Sequence, residues 1–111
     1  MKYLAIILLL TLANLVSASQ AITCIYIAKV AKQVMELRQA GVGAKYIRYS
    51  FPDYPRKFEI YKSDILLLRI INDAFQEPVH EAPTEKLQAV YKFDNKWFED
   101  CLSKKFKIKG V

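Results

Sequence analysis

The stretch "NKWFEDCLSKKFK", residues 95–107, carries the second of only two cysteines in a chain of 111 residues. The first, Cys24, sits in "ITCIYIAKV", residues 22–30, 77 positions upstream. Each lies in a run with helical spacing. Whether the two bond to each other therefore decides the architecture, because a bridge would set the start of an early helix beside the end of a late one.

The N-terminus bears on that pairing. Lys2 is followed by "YLAIILLLTLANLV", an uncharged, mostly apolar run too short to cross a bilayer comfortably, and then by the small residues Ser17, Ala18 and Ser19. This pattern predicts a signal peptide over residues 1–21, with cleavage near residues 18–21. Two other readings use the same residues. Lipidation at Cys24 wants an aliphatic residue three positions before it and a very small one directly before it, and Ala21 and Thr23 suit neither place. An uncleaved leader would instead be a tilted membrane anchor, which Asn14, Ser17, Ser19 and Gln20 weaken.

Export predicts a periplasmic or secreted protein, and in an oxidising compartment two cysteines in a small chain pair. Cys24–Cys101 is the one intramolecular bridge available, the alternative being two unrelated buried thiols. The mature chain would hold about 90 residues, enough for one domain: a helical unit over residues 22–103 and a basic tail over residues 104–111. The formal charge of +6 is gathered in that tail and in the segment from Lys45 to Lys57.

Three segments show helical periodicity. From Thr23 to Ala40, Ile27, Val30, Ala31, Val34, Met35 and Leu37 form an apolar face, with Lys29, Lys32, Gln33, Glu36 and Gln39 opposite. Gly41 supplies the stop, and Arg38 suits the negative end of the helix dipole. A second helix is expected from about residue 56 or 57 to Gln76, with Tyr61, Ile65, Leu68, Ile71 and Phe75 as its stripe, widened by Leu67 and Ile70. It reads as the best-buried element, ended by Pro78. "DILLLRII" also fits a buried strand, but its polar residues fall where a helix keeps them wet. A third helix is expected from Pro83 or Thr84 to Leu102, with Leu87, Val90, Tyr91, Trp97, Phe98 and Cys101 inward and a bend near Asp94 and Asn95. The expected fold is all-α, a three-helix or four-helix bundle whose first and last helices are antiparallel and bridged. Trp97 and Phe98 are expected to pack over the bridge.

The combination of "CIYIAKVAKQVMELRQAGV", "LLRIINDAFQEP" and "VYKFDNKWFEDC" resembles small exported two-cysteine proteins of Gram-negative bacteria and their phages. That resemblance covers nearly the whole mature chain and implies a periplasmic, helical, bridged protein; it carries no activity. "GAKYIRYSFPDYPRKFE", residues 43–59, is longer and more aromatic than the pattern, and the lysine tail runs past its last cysteine.

Catalytic chemistry finds little purchase. His80, the single histidine, reads as an exposed loop residue in "EPVHEAP". Glu99 and Asp100 are adjacent and point about 100° apart on a helix, so they form no acid/base pair. No zinc set, phosphate loop or nucleophile elbow is present, and no cofactor or metal is expected. "GVG" at 41–43 reads as a helix stop and turn.

Two surfaces could bind. Tyr46, Arg48, Tyr49, Phe51, Tyr54 and Arg56 mix aromatic rings with arginine, a composition enriched at protein interfaces, although the rings could instead cover the open end of a thin bundle. Lys104, Lys105, Lys107 and Lys109 suit an anionic membrane or cell-wall polymer, or a solvated terminus. Nucleic acid is a poor candidate, because the positive charge forms no recognition motif. The expected function is a noncatalytic exported domain that binds another envelope or phage protein. The alternatives are an electrostatic binder of anionic polymer and, with the leader retained, a tethered regulator of phage lysis.

Overall fold

Between Gln20 and Gln39 the chain alternates apolar and polar residues at helical spacing, with glycine only beyond the end. In the computed structural model, which describes residues 18–51 and 63–103, this run lies within α1 (Ala18–Gln39). Three more helices follow: α2 (Ala44–Tyr49), α3 (Ser63–Ala74) and α4 (Pro83–Leu102). The described residues contain no strand.

The end of α1 is fixed by Gly41, whose φ of 84° is open to glycine at little cost. Its N–H donates to the Arg38 carbonyl and the Val42 N–H to the Leu37 carbonyl, the paired bonds of a Schellman turn. Leu37 and Val42, which flank this turn, both pack on the core. Pro83 opens α4 at a position where its missing N–H costs nothing, and Glu85 lies in the first turn against the positive helix end. That helix continues unbroken through Asp94 and Asn95.

The central element is α1. It packs most extensively against α4 and next against α3, while α2 leans on both α3 and α1. The buried face of α1 runs Cys24, Ile27, Ala28, Val30, Ala31, Val34 and Met35, as its periodicity predicts. Gln39, expected among the wet residues, is buried instead.

Registers in the other two long helices differ from expectation. On α3 the core takes Leu66, Leu67, Ile70, Ile71 and Ala74, whereas Ile65 and Leu68 face outward. Four consecutive apolar residues, 65–68, leave the phase of the stripe open, and contact with α1 selects the row 66–70–74 with its neighbours 67 and 71. α3 is thus not the best-buried element. On α4 the inward row is Ala89, Phe93, Trp97 and Cys101, at strict four-residue steps with Val90 beside it; Leu87 and Tyr91 lie outside. Small Ala89 lets the helices approach, so size selects this row over a bulkier alternative.

Cys24 and Cys101 are disulfide-bonded, with Cα atoms 5.5 Å apart. Trp97 lies in the same buried cluster and Phe98 packs against it. Beside the bridge, the buried Gln20 amide donates to the Leu102 carbonyl at 3.4 Å, supplying a partner at the end of α4. At the opposite end of α1, the Gln39 amide donates to the Pro78 carbonyl at 2.9 Å and its Oε1 accepts the His80 N–H at 2.9 Å. The Gln39 carbonyl accepts from Lys86 of α4 at 2.6 Å. Arg38 donates to the Glu77 carbonyl at 3.2 Å and stacks 4.3 Å from the Phe75 ring centroid. α1 is thereby fastened covalently to α4 at one end, and at the other its Gln39 amide ties it to the connection before α4 while Lys86 of α4 reaches its main chain.

Closing a loop of 77 residues restricts the unfolded chain by about 4 to 5 kcal/mol in the chain-entropy treatment. Reduction, or replacement of both cysteines by serine, is expected to lower the unfolding free energy from urea denaturation by that scale, and the midpoint with it. Equal midpoints with and without reductant would exclude the bridge as a main source of stability.

Candidate functional site

Only two residues, Val42 and Gly43, follow Gly41 before the chain re-enters helix. Gly43, extended at φ −71° and ψ 155°, precedes α2, and Ile47, fully buried, holds it to the bundle. Phe51, four positions later, is half-buried against the same core. The segment expected as a connection is therefore partly helix, and the Ile47–Phe51 spacing between a glycine and Pro52 was the signal for it.

With Ile47 inward, Tyr46 and Tyr49 point out, each 70% exposed, and Arg48 is half-exposed between them. Across from α2, Ile65 and Leu68 of α3 are 53% and 41% exposed. The two helices enclose a cleft of about 210 Å³, with Lys45, Arg48 and Tyr49 on one side and Leu68, Ile71 and Asn72 on the other. Of the expected contact residues, Arg48 and Tyr49 line this cleft, and Tyr46 is exposed on the same helix. Phe51 turns to the core, and Tyr54 and Arg56 lie outside the described residues. Lys104, Lys105, Lys107 and Lys109 lie outside them as well. Leu68 enters the site unforeseen, because it had been counted into the buried stripe.

A second depression separates α3 from α4, whose backbones approach each other only weakly. It measures about 410 Å³ and is lined by Arg69, Asn72 and Asp73 of α3, by Gln76 just beyond that helix and by Lys96, Trp97 and Asp100 of α4. Asp73 spans it, accepting from Lys96 at 2.7 Å and from the Trp97 indole at 3.0 Å. Charged residues recur at four-residue steps, Arg69, Asp73 and Glu77 along and just beyond α3 and Lys92, Lys96 and Asp100 on α4, with opposite signs opposed in antiparallel order. Of these, Asp73 and Lys96 form an ion pair across the gap. The sequence contains this ladder, but only an antiparallel α3–α4 pair makes it legible. It explains the depression as an ionic seam.

His80 is not the exposed loop residue expected. It is half-buried, with Nε2 2.7 Å from Glu77 Oε1 and Nδ1 3.4 Å from Glu85 Oε2. The two carboxylates meet different ring nitrogens on different sides, so they do not converge on one point as metal ligands would. Among the described residues no three acidic, histidine or cysteine side chains are grouped to hold a metal ion. The Glu99 and Ser103 pairing is a helix-end contact, the Glu99 carbonyl accepting from the Ser103 hydroxyl at 2.6 Å.

Asp73 has two roles that substitution separates. The Lys96 pair is open to water and worth about 0 to 1 kcal/mol, whereas the buried indole N–H needs an acceptor. Asp73→Asn is expected to cost under about 1 kcal/mol, and Asp73→Ala about 1 to 3 kcal/mol, by urea denaturation. Equal losses would show that the ion pair, not the indole bond, is what Asp73 contributes.

Comparison with family models, with curated proteins and with solved structures finds no match for this chain.

Proposed function

We propose that the chain is an exported, noncatalytic helical domain that binds another protein of the cell envelope or of a phage, using the outward face of α2 and α3. The observation that carries the reading is the cleft between the two helices, where the exposed Tyr49 and Leu68 line opposite walls beside Arg48, while Tyr46 and Ile65 are exposed on the same two helices. Single exposed apolar residues are ordinary, but a contiguous set rimmed by cations is a feature of recognition surfaces. None of the four is needed to fill the core, which Ile47, Leu67, Ile70 and Ile71 close beneath them.

Export is supported by the leader-like N-terminus and by the Cys24–Cys101 bond, which persists in oxidising compartments. Among the described residues no helix is long and apolar enough to cross a membrane. The mass of the protein recovered from the producing cell tests the leader: the expected N-terminus is residue 19 or residue 22. A start at 19 retains Gln20 and its bond to Leu102, and a start at 22 removes it. Recovery of the intact 111-residue chain would favour the tethered alternative.

A photo-crosslinking residue at Tyr46 or Tyr49 is expected to trap one discrete protein adduct in intact cells. The same residue at Gln33, exposed on α1, serves as the control. Adducts of identical size and yield at all three positions would count against a binding face on α2.

A further inference from the structure

Both bonds at which the leader is expected to part, Ala18–Ser19 and Ala21–Ile22, lie at the start of α1. Within an α-helix each carbonyl accepts the N–H four residues on, whereas a peptidase takes its substrate as an extended segment, so the turn must unwind before it is cut. Two contacts hold that turn. The buried Gln20 amide donates to the Leu102 carbonyl, and Cys24, fully buried, is bonded to Cys101. Ala18 and Ile22 are exposed, so backbone conformation and not side-chain cover closes the site. While the bridge is shut, unwinding can run to Thr23 and then meets a residue fixed to the body of the bundle. At about 3.3 to 3.6 Å per extended residue, Ser19 then lies at most about 18 Å from Cys24, and Ile22 at most about 7 Å.

Resting on the export reading above, we propose that closure of the Cys24–Cys101 bridge ends the interval in which the leader can be removed: a chain cut first is released, and a chain bridged first keeps its leader. The two reactions are chemically separate. Cutting hydrolyses one amide, water supplying the oxygen of the leader's new carboxylate and a proton to the new amine. Bridging passes two electrons and two protons from the Cys24 and Cys101 thiols to a thiol–disulfide oxidant of the compartment. They compete because both need the segment 18–24. With the leader's apolar run held in a membrane, a bridged bundle stands within that short reach of the bilayer and occupies the space the peptidase needs. In the reduced chain nothing covalent stops α1 from unwinding past Cys24, and cutting follows the population of the unwound form. The bond that stabilises the domain therefore also decides between its released and tethered forms.

The test uses the full 111-residue chain, synthesised without cells in detergent so that the leader is intact, and a purified bacterial leader peptidase, with intact mass as the readout. One sample is kept reduced and another is oxidised until alkylation finds no free thiol. The reduced chain is expected to give a product starting at residue 19 or residue 22, and the oxidised chain to be cut at least about tenfold more slowly. The double variant Cys24→Ser, Cys101→Ser is expected to be cut at the fast rate under both conditions, which separates the bridge from an effect of reductant on the peptidase. An oxidised variant with about six Gly and Ser residues inserted between Ile22 and Thr23 is expected to recover the fast rate, because slack returns while the bridge stays shut. Circular dichroism verifies that this variant remains helical. Equal rates for the oxidised and reduced chains would overturn the proposal and leave export standing. Slow cutting of the oxidised insertion variant would overturn it too, by assigning the protection to something other than reach. If no form is cut, the leader reading and the proposal fall together.

Discussion

The bond between Cys24 and Cys101 is the constraint on which the arrangement of the other parts depends. It places the early turns of α1 against the last turn of α4 and so fixes the two helices as antiparallel, whatever the route between them. Once that pair is set, the row Ala89–Phe93–Trp97–Cys101 must face Cys24–Ile27–Ala31–Met35 rather than solvent. α3 then has one long surface left to lie on, the other side of α1. It occupies that surface without packing closely against α4, and the gap between them is spanned by Asp73. A domain this small gains much of its stability from restricting the unfolded chain, and so it can leave apolar side chains outside its core.

This freedom bears on function. Ile65 and Leu68 add nothing to the interior, and Tyr46 and Tyr49 ride on a helix held by Ile47. Scaffold and recognition surface use different residues of the same short elements. On the proposed reading, substitution on the outer face of α2 or α3 alters what is bound while the bundle stays folded. The seam between α3 and α4, by contrast, joins the scaffold to itself, with Asp73 meeting Lys96 and the Trp97 indole across the gap.

Much of the fold was legible in the residues. α4 begins and ends where Pro83 and Leu102 predict, Gly41 ends α1, and the two cysteines join as their compartment logic requires. What escaped was phase and local helicity. Four apolar residues in succession at 65–68, followed after Arg69 by Ile70 and Ile71, offer several equivalent stripes, and only the presence of α1 breaks the degeneracy. Gln39 looked solvated because an amide at helical spacing carries no sign of the carbonyl and N–H that will satisfy it 39 and 41 residues later. The site was half visible for the same reason: Tyr46, Arg48 and Tyr49 stand out by composition, whereas Leu68 is recognisable only when its burial is known.

The two walls that flank α1 are joined by bonds of unlike character. At the elbow between α3 and α4, the Gln39 ties are neutral amides meeting main-chain groups, which dissolved ions scarcely weaken. Half-way along, the Lys96–Asp73 link is a water-exposed ion pair, and mobile counterions screen it within about 8 to 10 Å at physiological strength. Raising ionic strength thus loosens the middle of the seam while its base stays pinned. The molecule has the mechanics of a clothes-peg, with a spring that tightens in dilute electrolyte and a pivot that does not.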